Sequence, residues 1–277
     1  MLRKGDLTQG GITGTLLHFT LPMLVGSFLQ QCYNIADTLI VGQCIGAGAL
    51  AAVGSAYTLM VFLISVLLGL AMGSGTVFSL HYGAGNHVAL RRSIFSSFAL
   101  IGIVTLILNV VVFIWLDPIL RLLQVPQDIY GMMRSYLWII FCGIVFTFIY
   151  NFYASLLRAV GDSVTPLWFL AVSVVLNIAL DLFFILQLDW GIQGAAAATV
   201  LAQGVAALGI LIYTYRRRPE LRWHHEDMCF DRTCLKEIAS FSTLTCVQQS
   251  VMNLGILMVQ GLVNSFGTAV MAAFAAA

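Results

Sequence analysis

LPMLVGSFLQQCYNIADTLIVGQ, residues 21–43, is apolar enough to enter a bilayer and yet carries a carboxylate, Asp37. A spanning helix needs about 20 mainly apolar residues, and this stretch supplies them. An acid at a helix centre costs roughly 2.5–3.5 kcal/mol on insertion scales, so an intramembrane aspartate reads as functional by default.

Outward from that stretch the whole chain has the same character. Of its 277 residues 60% are hydrophobic and 9% charged, against about 45–50% and about 25% in a soluble domain. That composition is an integral membrane protein's, and a net charge of +1 gives no field for a nucleic-acid partner. Seven apolar stretches predict spans at about 16–40, 50–79, 94–115, 135–157, 166–187, 193–215 and 238–265. The first 15 residues lack the apolar run and cleavage site of a signal peptide, so the N-terminus is expected to stay on the chain.

Basic residues set the orientation. With the N-terminus cytoplasmic, eleven of the thirteen Lys and Arg residues fall inside, and only Arg121 and Arg134 fall outside. The expected location is therefore the cell membrane, multi-pass, N-terminus in the cytoplasm. Pro118, Pro126 and Pro219 are placed in connections, and Pro166 in the first turn of the fifth span. Pro22 is placed near the start of the first span, where a proline frees a carbonyl; it is a candidate hinge, with a mere entry bend as the plainer reading. HHEDMCFDRTC, residues 224–234, offers His and Cys to a metal, but its cysteine spacing fits zinc sites poorly, and an ordinary solvated loop is the plainer reading. The cysteines within or beside the spans read as small packing residues.

Ten of the twelve acids belong to loops or ends, which leaves Asp37 and Asp181. No Lys or Arg lies within a span, so each acid is a candidate to hold a proton or a metal cation. Asn177 precedes Asp181 by one turn and shares its helix face. Gln30, Tyr33, Asn34 and Asp37 make one polar stripe on the first span, and Thr199, among small residues 194–198, adds a hydroxyl where a neighbouring helix can approach. The plainer role for such groups is to hydrogen-bond helices together, which suits an amide or hydroxyl better than a pair of acids.

GAGALAAVG, residues 46–54, aligns with GTAVMAAFA, residues 267–275, at an offset of 221. Parallel repeats are a transporter plan. The expected organisation is a six-helix lobe over 1–215, an inter-lobe cytoplasmic loop over 216–237, and the first helix of a second lobe over 238–277. Gln249, Asn253, Gln260 and Asn264 share one face of that last helix; with Gln30, Tyr33 and Asn34, the first three are candidate cavity-lining residues. Position 258, opposite Asp37 in the repeat, is Met, so the two halves differ chemically.

The motifs LPMLVGSFLQQCYNIADTLIVGQCIGAGALAAVG, HYGAGNHVALRRS, LLRAVGDSVTP, LNIALDLFFI and GIQGAAAATVLAQG, in that order, resemble the multidrug and toxic compound extrusion (MATE) transporters. The resemblance implies an all-α polytopic membrane protein of two six-helix lobes, of which helices 8 to 12 are expected to be missing here. It implies export of amphipathic or cationic organic compounds driven by inward proton or sodium flow, with no other cofactor. It also implies a coupling-ion site of Asp37, Asn177, Asp181 and Thr199, which would be the metal site if sodium is the ion. Expected partners are a small organic substrate, membrane lipid and a second lobe. Three other readings stand beside it: a lipid-linked sugar flippase, which needs basic residues in its cavity; an inactive fragment completed by a partner; and an intramembrane aspartyl protease, for which NIADTL and ALDLFF lack flanking glycines. An enzyme is not expected.

Overall fold

A computed structural model describes residues 12–223 and 232–276. Among them nine α-helices account for almost all of the chain, and there are no strands. Helix α1 (Ile12–Cys44) has 33 residues, about 50 Å of axis. Helices α2 (Ala47–Gly83) and α3 (His87–Leu122) follow through tight turns, the second closed by Asn86, whose side chain accepts from the Ala89 N–H at 3.1 Å. Then come α4 (Gln127–Cys142), α5 (Ile144–Ala159), α6 (Val164–Leu182) with a terminal π-turn at Phe183–Gln187, α7 (Gly191–Arg217), α8 (Arg232–Ser265) and α9 (Thr268–Ala276).

Helices α2, α3, α6 with its π-turn, α7 and α8 are each long and apolar enough to cross a membrane, as is the pair α4 and α5 taken together. Large apolar side chains such as Phe28, Leu122 and Met258 face outward, more than two-thirds exposed. That exterior suits lipid, and the molecule is a multi-pass membrane protein. Helix α1, at 33 residues, is long enough to span, and Gln30, Gln31, Asn34 and Asp37 place polar groups along its second half.

The span expected over 135–157 is not straight. It breaks at Gly143 into α4 and α5, bent by 49°. A Cβ on Gly143 would lie 2.6 Å from a Val200 methyl, so α7 passes where a side chain would stand. At the break Asn109 of α3 donates to the Phe141 carbonyl at 2.7 Å, which satisfies backbone that a membrane interior leaves without water. Pro118, expected in a connection, lies inside the last turns of α3. The connection is shorter than expected, and Asp117 stays on the helix through an ion pair with Arg134 at 2.9 Å and a hydrogen bond from Tyr130 at 2.8 Å.

Pro22 sits ten residues inside α1, not at its start, and the helix continues through it. Beside it the Ser163 hydroxyl donates to the Phe19 carbonyl at 3.0 Å, tying the first third of α1 to the start of α6. Asp162 caps that start, accepting from the Thr165 N–H at 3.0 Å and its hydroxyl at 2.8 Å, while Arg218 at the end of α7 donates to the same carboxylate at 3.1 Å. One acid thus fixes the start of α6 against the end of α7.

Gly46 between α1 and α2 has φ of 116°, and Gly267 between α8 and α9 has φ of 90°. Both occupy the positive-φ region that glycine enters without strain, at the two positions the sequence offset pairs. Helix α8 lies along α2, with the Ser242 hydroxyl donating to the Leu70 carbonyl at 3.3 Å. Residues 224–231, most of the candidate metal loop, lie outside the described residues.

Candidate functional site

Helices α1, α6 and α7 converge on the acids. Asp181 is fully buried, with Asn177 at 1% and Thr199 at 5% exposure, and Asp37 is partly buried. With its amide turned to satisfy both neighbours, Asn177 donates to Asp181 Oδ2 at 2.9 Å and accepts from the Thr199 hydroxyl at 3.3 Å. The Tyr33 hydroxyl meets the same Thr199 Oγ1 at 3.3 Å. In that orientation the donors run in one direction: Tyr33 to Thr199, Thr199 to Asn177, Asn177 to the carboxyl.

The side chains of Asp37 and Asp181 are close enough to hydrogen-bond. Two carboxylates in contact repel unless a proton or a cation stands between them. Each keeps one buried oxygen, Oδ1, with no protein hydrogen-bond partner. The two acids from α1 and α6 therefore present anionic oxygens to one small volume, with Asn177 and Thr199 in the hydrogen-bond chain behind them, and a carboxylate pair of this kind suits a proton or a hard monovalent cation. Among the described residues no group of three or more His, Cys, Asp or Glu gathers elsewhere to hold a metal.

A cavity of about 120 Å³ opens beside this network, lined by Gln30 and Tyr33 from α1, Thr147 and Asn151 from α5, and Thr199 and Gln203 from α7. It adjoins a second of about 460 Å³ towards Pro22, Arg158 and Ser163, and the two share Gln30, Tyr150, Asn151 and Leu170. Sequence reading missed Thr147, Asn151 and Gln203. Their signal was available, since Thr147 and Asn151 are one turn apart on α5, and Gln203 is one turn after Thr199 on α7, where it accepts from the Thr147 hydroxyl.

Other candidates go elsewhere. Asn34 donates to Gln31 and to Tyr57 of α2, at 3.1 and 3.2 Å, and lines neither cavity. Gln249, Asn253 and Gln260 also line neither cavity. The Thr58 hydroxyl donates to Gln260, which donates to Asn264, and Asn264 donates to Ser55 and to the Leu123 carbonyl. This face of α8 joins helices, because α2 lies directly against it. Pro22 lines the larger cavity.

The model of the family described as MatE matches residues 22–183. A Bacillus subtilis protein named as a probable multidrug resistance protein, YpnP, is 32% identical over 99% of this chain and 61% of its own length. The multidrug export protein MepA of Staphylococcus saprophyticus is 30% identical over 73% of this chain and 45% of its own. The chain thus spans between about half and three-fifths of the length of these relatives. Among solved structures, the Vibrio cholerae MATE transporter VcmN in the bent form aligns over 95% of this chain and 59% of its own, with a TM-score of 0.81 and 27% identity. An outward-facing MATE family transporter of the MOP superfamily aligns over all of this chain and 68% of its own, with a TM-score of 0.83 at 21% identity, a likeness of fold.

Proposed function

This chain belongs to the MatE family, and on that premise we propose that it forms the ion-coupling lobe of an antiporter that exports amphipathic or cationic organic compounds from the cytoplasm. Asp37 and Asp181 exchange a proton or a sodium ion; with a proton Asn177 and Thr199 stay in the hydrogen-bond chain, and with sodium the Asn177 amide turns back so that its oxygen and that of Thr199 are the neutral ligands. The observation that carries this reading is the buried chain from Tyr33 through Thr199 and Asn177 to Asp181, set against a polar cavity. The names of YpnP and MepA support the export of drugs.

Occupancy is coupled to shape through electrostatics. With a cation between them, Asp37 and Asp181 hold α1 against α6; without one, their repulsion drives the helices apart. Pro22 removes one backbone hydrogen bond from α1 and lowers the cost of bending there. Movement of α1 changes both cavities at once, since Gln30 lines each of them. One charge crossing 100 mV yields about 2.3 kcal/mol, enough for roughly 50-fold accumulation.

The test is flux of a fluorescent organic cation in proteoliposomes under an imposed proton or sodium gradient, with this chain alone and with the additional length its relatives possess. Gradient-driven flux that disappears when both Asp37 and Asp181 are changed to Asn supports the reading. Equal flux in the double variant at matched expression rejects it.

A further inference from the structure

The larger cavity contains a cation that the coupling reaction does not use. Arg158, on the last turn of α5, lines it, partly buried. Its Nε donates to the Ala154 carbonyl at 3.0 Å, which fixes the plane of the guanidinium. Neither terminal nitrogen has a protein partner among the described residues, and no Asp or Glu lines either cavity. The nearby Arg218 differs, being paired with Asp162 at 3.1 Å and Glu220 at 3.5 Å. The terminal nitrogens stand open to the cavity, and a planar guanidinium with two open terminal nitrogens matches a carboxylate or phosphate in a bidentate geometry.

The rest of the lining says what such a ligand looks like. Pro22, Met23, Leu167 and Leu170 give an apolar wall, and a volume of about 460 Å³ falls in the range of small-molecule sites. Beyond Arg158 the shared residues Gln30, Tyr150 and Asn151 lead to the smaller cavity, where the lining is neutral and polar.

We propose that the adjoining cavities bind an amphipathic organic compound that carries an acidic group, and that Arg158 holds that group while the apolar body lies along α1 and α6. The proposal rests on the export reading for its place in transport, and within the amphipathic compounds it points to organic acids and zwitterions rather than to cations. The same chemistry is offered by an anionic lipid headgroup, so the ligand chemistry assigned is an acid on an apolar body, from either source.

Equilibrium binding in detergent, with no gradient, separates this proposal from the coupling reading. The probes are rhodamine B, a zwitterion with a free carboxyl, and its ethyl ester, which is a cation of nearly the same shape, followed by fluorescence anisotropy. The wild-type chain is expected to bind the acid at least tenfold more tightly than the ester. In Arg158→Gln that preference is lost while the ester still binds, and in Arg158→Lys it is partly kept. Displacement of rhodamine B by phosphatidylglycerol, but not by phosphatidylcholine, in the wild type and not in Arg158→Gln assigns the site to a lipid headgroup. Displacement by neither assigns it to the solute. Equal wild-type affinity for acid and ester overturns the proposal without any variant, and so does a parallel loss of both probes in Arg158→Gln and Arg158→Lys proteins whose melting matches the wild type.

Discussion

The Asn177 amide donates to Asp181 Oδ2 at 2.9 Å across one turn of α6, so the carboxyl at the centre of the fold is held by its own helix. A hydrogen bond to a charged group contributes about 1.5–3 kcal/mol. Asn177→Ala removes that bond, so the unfolding temperature in detergent is expected to fall by an amount that corresponds to it. Asn177→Asp puts a third carboxylate beside the first two, and the protein should melt lower still unless a cation binds between them. Thermal unfolding with and without sodium measures both.

Thr199 joins the amide of Asn177 to the hydroxyl of Tyr33. Thr199→Val keeps the shape and removes both bonds, leaving buried polar groups that cost about 1–3 kcal/mol when unsatisfied. Thermal unfolding in detergent should shift down for Val and recover most of the loss for Ser, which keeps the hydroxyl. Identical melting of all three proteins would mean that the bonds carry no stability.

Val200 of α7 packs against the break at Gly143. Gly143→Ala places a methyl 2.6 Å from the Val200 side chain, an overpacking that costs about 1–3 kcal/mol. Adding Val200→Ala should return most of that stability, and a double-mutant cycle on unfolding measures the coupling. Additive effects in the cycle would mean that Val200 is not what requires a glycine there.

Asp162 caps α6 and also holds Arg218. Loss of an N-cap costs about 1 kcal/mol, so Asp162→Ala should speed amide exchange in the first turn of α6, over residues 163–167, and at the end of α7. Exchange deeper in α6, around Asn177, should stay as in the wild type. Hydrogen exchange read by mass spectrometry gives both regions in one experiment.

Much of this arrangement is legible in the residues. Asn177 and Asp181 are four apart, and helical geometry alone puts them on one face. The offset that pairs Gly46 with Gly267 lands on the two positive-φ junctions. The break at Gly143 is not legible, because the apolar pattern runs unbroken through it and the residue that crowds it, Val200, stands far along the chain on α7. The polar face of α8 was read with the correct period but not the correct neighbour. Periodicity tells which residues share a face, not what that face meets, and here it meets Ser55 and Thr58 of α2. Thr147, Asn151 and Gln203 carried the same four-residue signal as Asn177 and Asp181 but lacked an acid to draw attention to them.

The central claim is that Asp37 and Asp181 share one exchangeable cation. Proton uptake on a pH jump, together with binding of radiolabelled sodium, counted per chain in purified protein, tests it most directly. The account predicts about one saturable cation per chain, with protons and sodium competing if sodium binds, and loss of that cation in Asp37→Asn and in Asp181→Asn while melting stays near the wild type. Undiminished binding in the double Asn variant would contradict it.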